Sequence, residues 1–149
     1  MWSEPLKILF KDFCALNGIH HALNTLLDTG TISCNDVAFS LLPHPSAAQD
    51  IRILAHFGQA PANLREQCYR RLLEINLLMP DSSGERLAVD PQNGAVIFLY
   101  TLKSPSAIQL LHSLQRAAAQ AHEWQQTQFL DGDANSFQAP SRSALMKAS

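Results

Sequence analysis

Between Leu64 and Leu102 the chain sets an amphipathic helix directly before a β-hairpin, and this pairing limits the fold more than any other stretch. The helix, expected over 62–78 after Pro61, ends in Leu72-Leu73-Glu74-Ile75-Asn76-Leu77-Leu78. The hairpin runs through Glu85-Arg86-Leu87-Ala88-Val89-Asp90, turns at Pro91-Gln92-Asn93-Gly94 and returns along Ala95-Val96-Ile97-Phe98-Leu99-Tyr100. Two apolar stripes follow the helix. Leu64, Cys68, Leu72, Ile75 and Met79 form one, and Tyr69, Leu73 and Leu77 form another about 100° around the cylinder. One stripe is enough for a core. A helix apolar over so wide an arc is normally buried on more than one side, so the second stripe is expected to meet a second copy of the chain. The returning strand is apolar on both faces, which places it inside a sheet. The segment holds no catalytic constellation and points to a binding protein.

Upstream, Ser3 can cap a helix over 4–17 whose Leu6, Leu9, Phe10, Phe13 and Leu16 share a stripe, with Gly18 placed to end it. Residues 19–30 carry mixed signals and are expected to form a loop with a short helical turn near His21 to Leu27. Three short strands follow at 31–34, 37–42 and 50–57, with Asn35-Asp36 suited to a two-residue hairpin turn and Pro43-His44-Pro45 breaking the chain. In the second, Val37, Phe39 and Leu41 alternate with Ala38 and Ser40; in the third, Ile51, Ile53, Ala55 and Phe57 alternate with Arg52, Leu54 and His56. Ser104 and Pro105 read as cap and first-turn proline of a last helix over 105–128, burying Ile108, Leu111, Leu114, Ala118, Ala121 and Trp124. Beyond Phe129 the composition turns to Asp, Gly, Asn, Ser and Gln, so 131–149 is expected to be a flexible tail on a domain of residues 1–130. The order α-β-β-β-α-β-β-α predicts an α+β fold with a twisted, mostly antiparallel five-stranded sheet and three helices.

The chemistry-bearing residues form no recognisable site. A net charge of −2 with scattered basic residues gives no electrostatic reason to expect nucleic acid as partner. No run approaches the roughly 20 apolar residues of a membrane span, and the N-terminus lacks a secretory signal, so a cytosolic protein without membrane insertion is expected. Cys14, Cys34 and Cys68 are odd in number and suit reduced, buried thiols. Six His and three Cys show no metal-ligand spacing, no Gly-x-Ser-x-Gly elbow occurs, and no Gly-rich loop leads into a helix. Cofactors, metals and an enzymatic activity are therefore not expected. The one nucleophile and base left to consider are Cys34 and His56, whose separation the sequence does not give.

Three motifs resemble the class I type III secretion chaperones, small bacterial proteins related to the Tir chaperone. They are Ile53-Leu54-Ala55-His56-Phe57-Gly58-Gln59-Ala60-Pro61, then Leu72-Leu73-Glu74-Ile75-Asn76-Leu77-Leu78, then Leu87-Ala88-Val89-Asp90-Pro91-Gln92-Asn93-Gly94-Ala95-Val96. With Leu6, Phe10 and Phe13 of the first helix, the resemblance spans about residues 4–127. It implies a homodimer built around the helix of 62–78 and the neighbouring hairpin, with Tyr69, Leu73, Leu77, Leu87 and Val89 at the interface. It implies one or a few secreted effector proteins as partners, each held by its N-terminal part in extended form, with the secretion ATPase as a further candidate partner. Strand addition would give affinity and apolar pockets would give selectivity. The pocket residues it implies are Leu6, Phe10, Phe13, Val37, Phe39, Leu41 and Ile53. The alternative is a non-catalytic regulatory or adaptor protein of the same fold that binds a component of the secretion machinery.

Overall fold

The structure, a computed structural model, describes residues 2–80 and 84–131, so the expected tail lies outside it beyond Asp131. Five strands, β1 (Thr31–Cys34), β2 (Val37–Pro43), β3 (Ile51–Gln59), β4 (Arg86–Val89) and β5 (Ala95–Leu102), form one sheet in the order β1-β2-β3-β5-β4. All four pairings are antiparallel. Among the described residues four helices accompany it: α1 (Glu4–Leu16), α2 (Leu23–Thr29), α3 (Arg65–Leu78) and α4 (Ala107–Thr127). The expected α+β architecture is present, with one helix more than expected.

The extra helix is α2, in the stretch expected as a loop with a short helical turn near His21 to Leu27, and it is preceded by a 3-10 turn over His20–Ala22. Its pattern is weak because seven residues carry one buried side chain, Leu26. Tertiary contacts hold it instead: the Trp2 indole N–H donates to the Leu27 carbonyl at 2.9 Å. The helix ends at Gly30, whose φ of +70° is the left-handed conformation that helix C-termini favour.

Alternation along the strands separates the two faces of the sheet. Phe39, Ala55, Phe98 and Leu87 lie in register as one row across β2, β3, β5 and β4, and all are buried beneath the helices. Phe57 sits at a register shift in the β3–β5 ladder and still reaches the core, where its ring centroid lies 6.0 Å from those of Phe98 and Trp124. The opposite face carries Ser40, Leu54, His56, Ile97 and Leu99, all half-buried.

Helix α4 starts later than expected. Ser104 adopts a φ of +43°, and its N–H goes to the Asp50 carboxylate. Ser106 is the true cap: its hydroxyl accepts from the Gln109 N–H while the Gln109 side chain accepts from the Ser106 N–H, a reciprocal capping box. The buried stripe is rotated accordingly. Leu110, Ser113 and Ala117 join Leu114, Ala118, Ala121 and Trp124 in the interior, whereas Ile108 is exposed.

Candidate interaction surfaces

The seven residues implied as pocket formers are all core. Leu6, Phe10, Phe13, Val37, Phe39, Leu41 and Ile53 are at most 3% exposed, because each points inward between the helices and the sheet. Of the seven, Leu6 alone among the described residues borders surface grooves, one toward Pro43–Ala48 and one toward Gln49 and Pro105. The seven hold the scaffold, and a partner must be met by what lies around it.

One such surface borders β1. Asn35 and Asp36 have φ of +50° and +64°, the pattern of a two-residue type I′ turn, so β1 and β2 form the tight hairpin the sequence predicts. The Leu41 N–H donates to the Gly30 carbonyl at 2.6 Å. From that pair the antiparallel alternation turns the main-chain groups of Ile32 toward β2 and those of Thr31 and Ser33 toward the open edge. Beside this edge runs a groove of about 520 Å³ between Ile19, Ala22 and Thr25 on one side and Ile32, Ser33 and Ala38 on the other. The hairpin tip is tied down from far along the chain, since the His122 ring nitrogen Nε2 donates to the Asn35 carbonyl at 2.7 Å.

The other edge of the sheet is different. Helix α3 runs along β4, with Cys68, Leu72, Ile75 and Met79 turned into the core. The Asn76 side chain donates to the Leu87 carbonyl and accepts from the Leu87 N–H, both at 2.8 Å. Near the other end of the helix the Tyr69 hydroxyl donates to the Gly94 carbonyl at 2.9 Å. On a regular helix Leu73 and Leu77 lie about 60° and 100° beyond Asn76, on the side away from the core. They are 71% and 84% exposed.

The five residues implied at a dimer interface therefore divide. Leu73 and Leu77 are bare in the protomer, Val89 is 37% exposed, and Tyr69 is half-buried by its bond to Gly94. Leu87 is corrected: at 4% exposure it packs in the core row beside Phe98, and only its main chain reaches the edge. The sequence reading missed the half-buried Leu54, Ile97 and Leu99 on the uncovered face of the sheet, although their place in doubly apolar strands marks them.

No nucleophilic pair forms. Cys34 lies opposite Val37 on the helix-covered face, whereas His56 lies on the other face with its Nε2 2.8 Å from the Ser40 hydroxyl. Cys14, Cys34 and Cys68 are all free thiols, and burial pushes each above the ordinary thiol range. Such thiols are poor nucleophiles at neutral pH. Among the described residues no group of His, Cys, Asp or Glu could hold a metal ion, and no helix is long and apolar enough to cross a membrane.

The model of the Tir chaperone protein (CesT) family matches residues 11–125. The chain belongs to that family. It is the chaperone family that the three sequence motifs resemble, and its match spans every strand and the helices α2, α3 and nearly all of α4. Among solved structures, a chain of the HopA1-SchA chaperone-effector complex is 18% identical with a TM-score of 0.48, covering 82% of this chain and 91% of that one. A chain of the ExoT-SpcS complex from Pseudomonas aeruginosa is 20% identical with a TM-score of 0.48, covering 81% and 98%. Among curated proteins no sequence matches the chain.

Proposed function

We propose that this CesT-family chaperone is a non-catalytic, cytosolic bacterial protein that works as a homodimer. It binds the N-terminal region of a type III secreted effector, keeps it soluble and unfolded enough for export, and helps deliver it to the secretion apparatus. The open β1 edge beside an apolar groove is the observation that carries this reading. The Thr31 N–H is held by the Thr29 hydroxyl at 3.3 Å, so an extended segment laid there gains main-chain hydrogen bonds from Ser33 and the Thr31 carbonyl and seats alternate side chains in the groove, which suits a partner that has not folded. The effector surface is thus assigned to Ile19, Ala22, Thr25, Ile32, Ser33 and Ala38 rather than to the seven core residues.

For the homodimer the support is the outward side of α3. Leu73 and Leu77 on the outward side of α3, and the half-buried Ile97 and Leu99 on the uncovered face of the sheet, are apolar groups that water would otherwise wet. The test is co-expression with a candidate effector, sought among any larger proteins encoded beside this chain's gene, followed by light scattering and amide hydrogen exchange. A soluble complex containing two copies of the chaperone, with new protection at Thr31 to Cys34, is the expected result. A strictly monomeric chain at micromolar concentration, or a complex that leaves β1 unprotected, overturns the corresponding part of the reading.

A further inference from the structure

A five-stranded open sheet has two edges, and each is a template on which another chain can add a strand. In this protein the two are treated differently. Leu87 pairs with Phe98 across β4 and β5, and both its N–H and its C=O point outward, where the Asn76 amide meets them at 2.8 Å on each side. A primary amide presents one acceptor and one donor in a plane, the same pair an incoming strand would offer. Asn76 therefore occupies the position of a sixth strand. Asn is among the poorer residues for a helix interior, and its place there fits a role that a better helix former could not fill. Tyr69 holds the same helix against the end of the hairpin through Gly94, whose φ is +74° and where a Cβ would lie 3.2 Å from the Tyr69 hydroxyl.

We propose that Asn76 directs strand addition: by filling the Leu87 main-chain groups it seals the β4 edge and leaves β1 as the edge that accepts a strand. Use of β1 rests on the function proposed above, whereas closure of β4 does not. The consequence for self-association is that two copies meet through side chains of α3 and the uncovered sheet face, and not by joining β4 to β4 into a continuous sheet.

Two measurements on the chain alone test the closure. In the unaltered protein, the Leu87 amide is expected to exchange at least about tenfold more slowly than that of Ser33 at the open edge. Equal rates overturn the proposal, and this readout needs no variant to fold. In Asn76→Ala, and in Asn76→Asp, which keeps an acceptor for the Leu87 N–H, light scattering should show species larger than the dimer that grow with concentration. Adding Ala88→Lys, a charge on the freed strand, should return the size distribution without restoring the melting temperature. A folded Asn76 variant that is less stable but has an unchanged size distribution shows Asn76 to be only a packing contact and overturns the proposal. Failure of the unaltered protein to protect β1 on partner binding, with slow exchange at Leu87 and growth of the Asn76 variants both seen, would instead count against the function proposed above and leave the closure of β4 standing.

Discussion

Gly30 and Leu41 approach so closely that a Cβ added to Gly30 would lie 2.5 Å from the Leu41 carbonyl oxygen. The contact sits where α2 gives way to β1, and the Leu41 N–H closes it by donating to the Gly30 carbonyl. Gly30→Ala is expected to cost about 2–4 kcal/mol, from the left-handed backbone together with the clash against a main chain that cannot retreat. Urea denaturation checks this. An unchanged midpoint would mean that the start of β1 shifts freely, which would remove the basis for a preformed acceptor edge.

Leu73→Asp should split the dimer while leaving the protomer folded. Leu73 is 71% exposed, so the substitution breaks no intramolecular contact of weight, and the protomer's own stability should move by no more than about 0.5 kcal/mol. Light scattering together with circular dichroism separates the two effects. Partner binding is expected to weaken only as the dimer is lost, so a variant that stays dimeric would move the interface away from α3.

Phe57→Ala is expected to be among the most damaging single changes, at about 3–5 kcal/mol. Its ring meets Phe98, Trp124 and Phe129 at centroid separations of 6.0, 6.0 and 6.2 Å, joining the bulge in β3 to α4 and the chain just after it. Denaturant titration followed by tryptophan fluorescence reads both the loss of stability and the altered surroundings of Trp124.

Tyr100 sets an alkaline limit. Burial raises its hydroxyl well above the ordinary value near 10, against the smaller lowering effect of its hydrogen bond with Ser113 at 3.2 Å. Above about pH 10 the unfolded chain releases this proton and the folded one keeps it, so stability is complete below that pH and declines as pH rises past it. Tyr100→Phe should flatten the decline seen in melting temperature between about pH 9 and pH 11. A decline of unchanged slope would assign it to other groups.

Thiol reagents should distinguish the cysteines. Cys34 is half-buried on the edge strand, whereas Cys14 and Cys68 are buried inside the core. In the native protein Cys34 is expected to react first, with the other two modified only as the chain unfolds. A time course read by mass spectrometry decides it, and early modification of Cys68 would show that α3 opens from β4 more readily than the Asn76 and Tyr69 bonds imply.

Much of the architecture was legible because long periodic segments dominate it. The stripe from Cys68 to Met79, the alternation in β2 and β3, and the Asn35-Asp36 turn all mark elements that the structure contains. Helix α2 was legible only as a short helical turn, because one buried leucine in seven residues gives no period, and a tryptophan far back in the chain holds it. The start of α4 was misplaced because Ser104-Pro105 and Ser106 offer competing caps, and only the reciprocal bond with Gln109 decides between them. Residues on a periodic stripe announce burial without saying by what. Leu6 and Phe39 are buried within the chain, while Leu73 and Leu77, equally periodic, are left bare. The edges were illegible for a related reason, since which main-chain groups face outward is a matter of register and not of side-chain type.

The bond between His122 and the Asn35 carbonyl joins residues 87 positions apart. On a ribosome the β1–β2 hairpin emerges well before the residue that pins its tip, and until then α1 and α2 stand behind it without α4. A copy that has not yet made α4 therefore carries this hairpin with its tip unanchored.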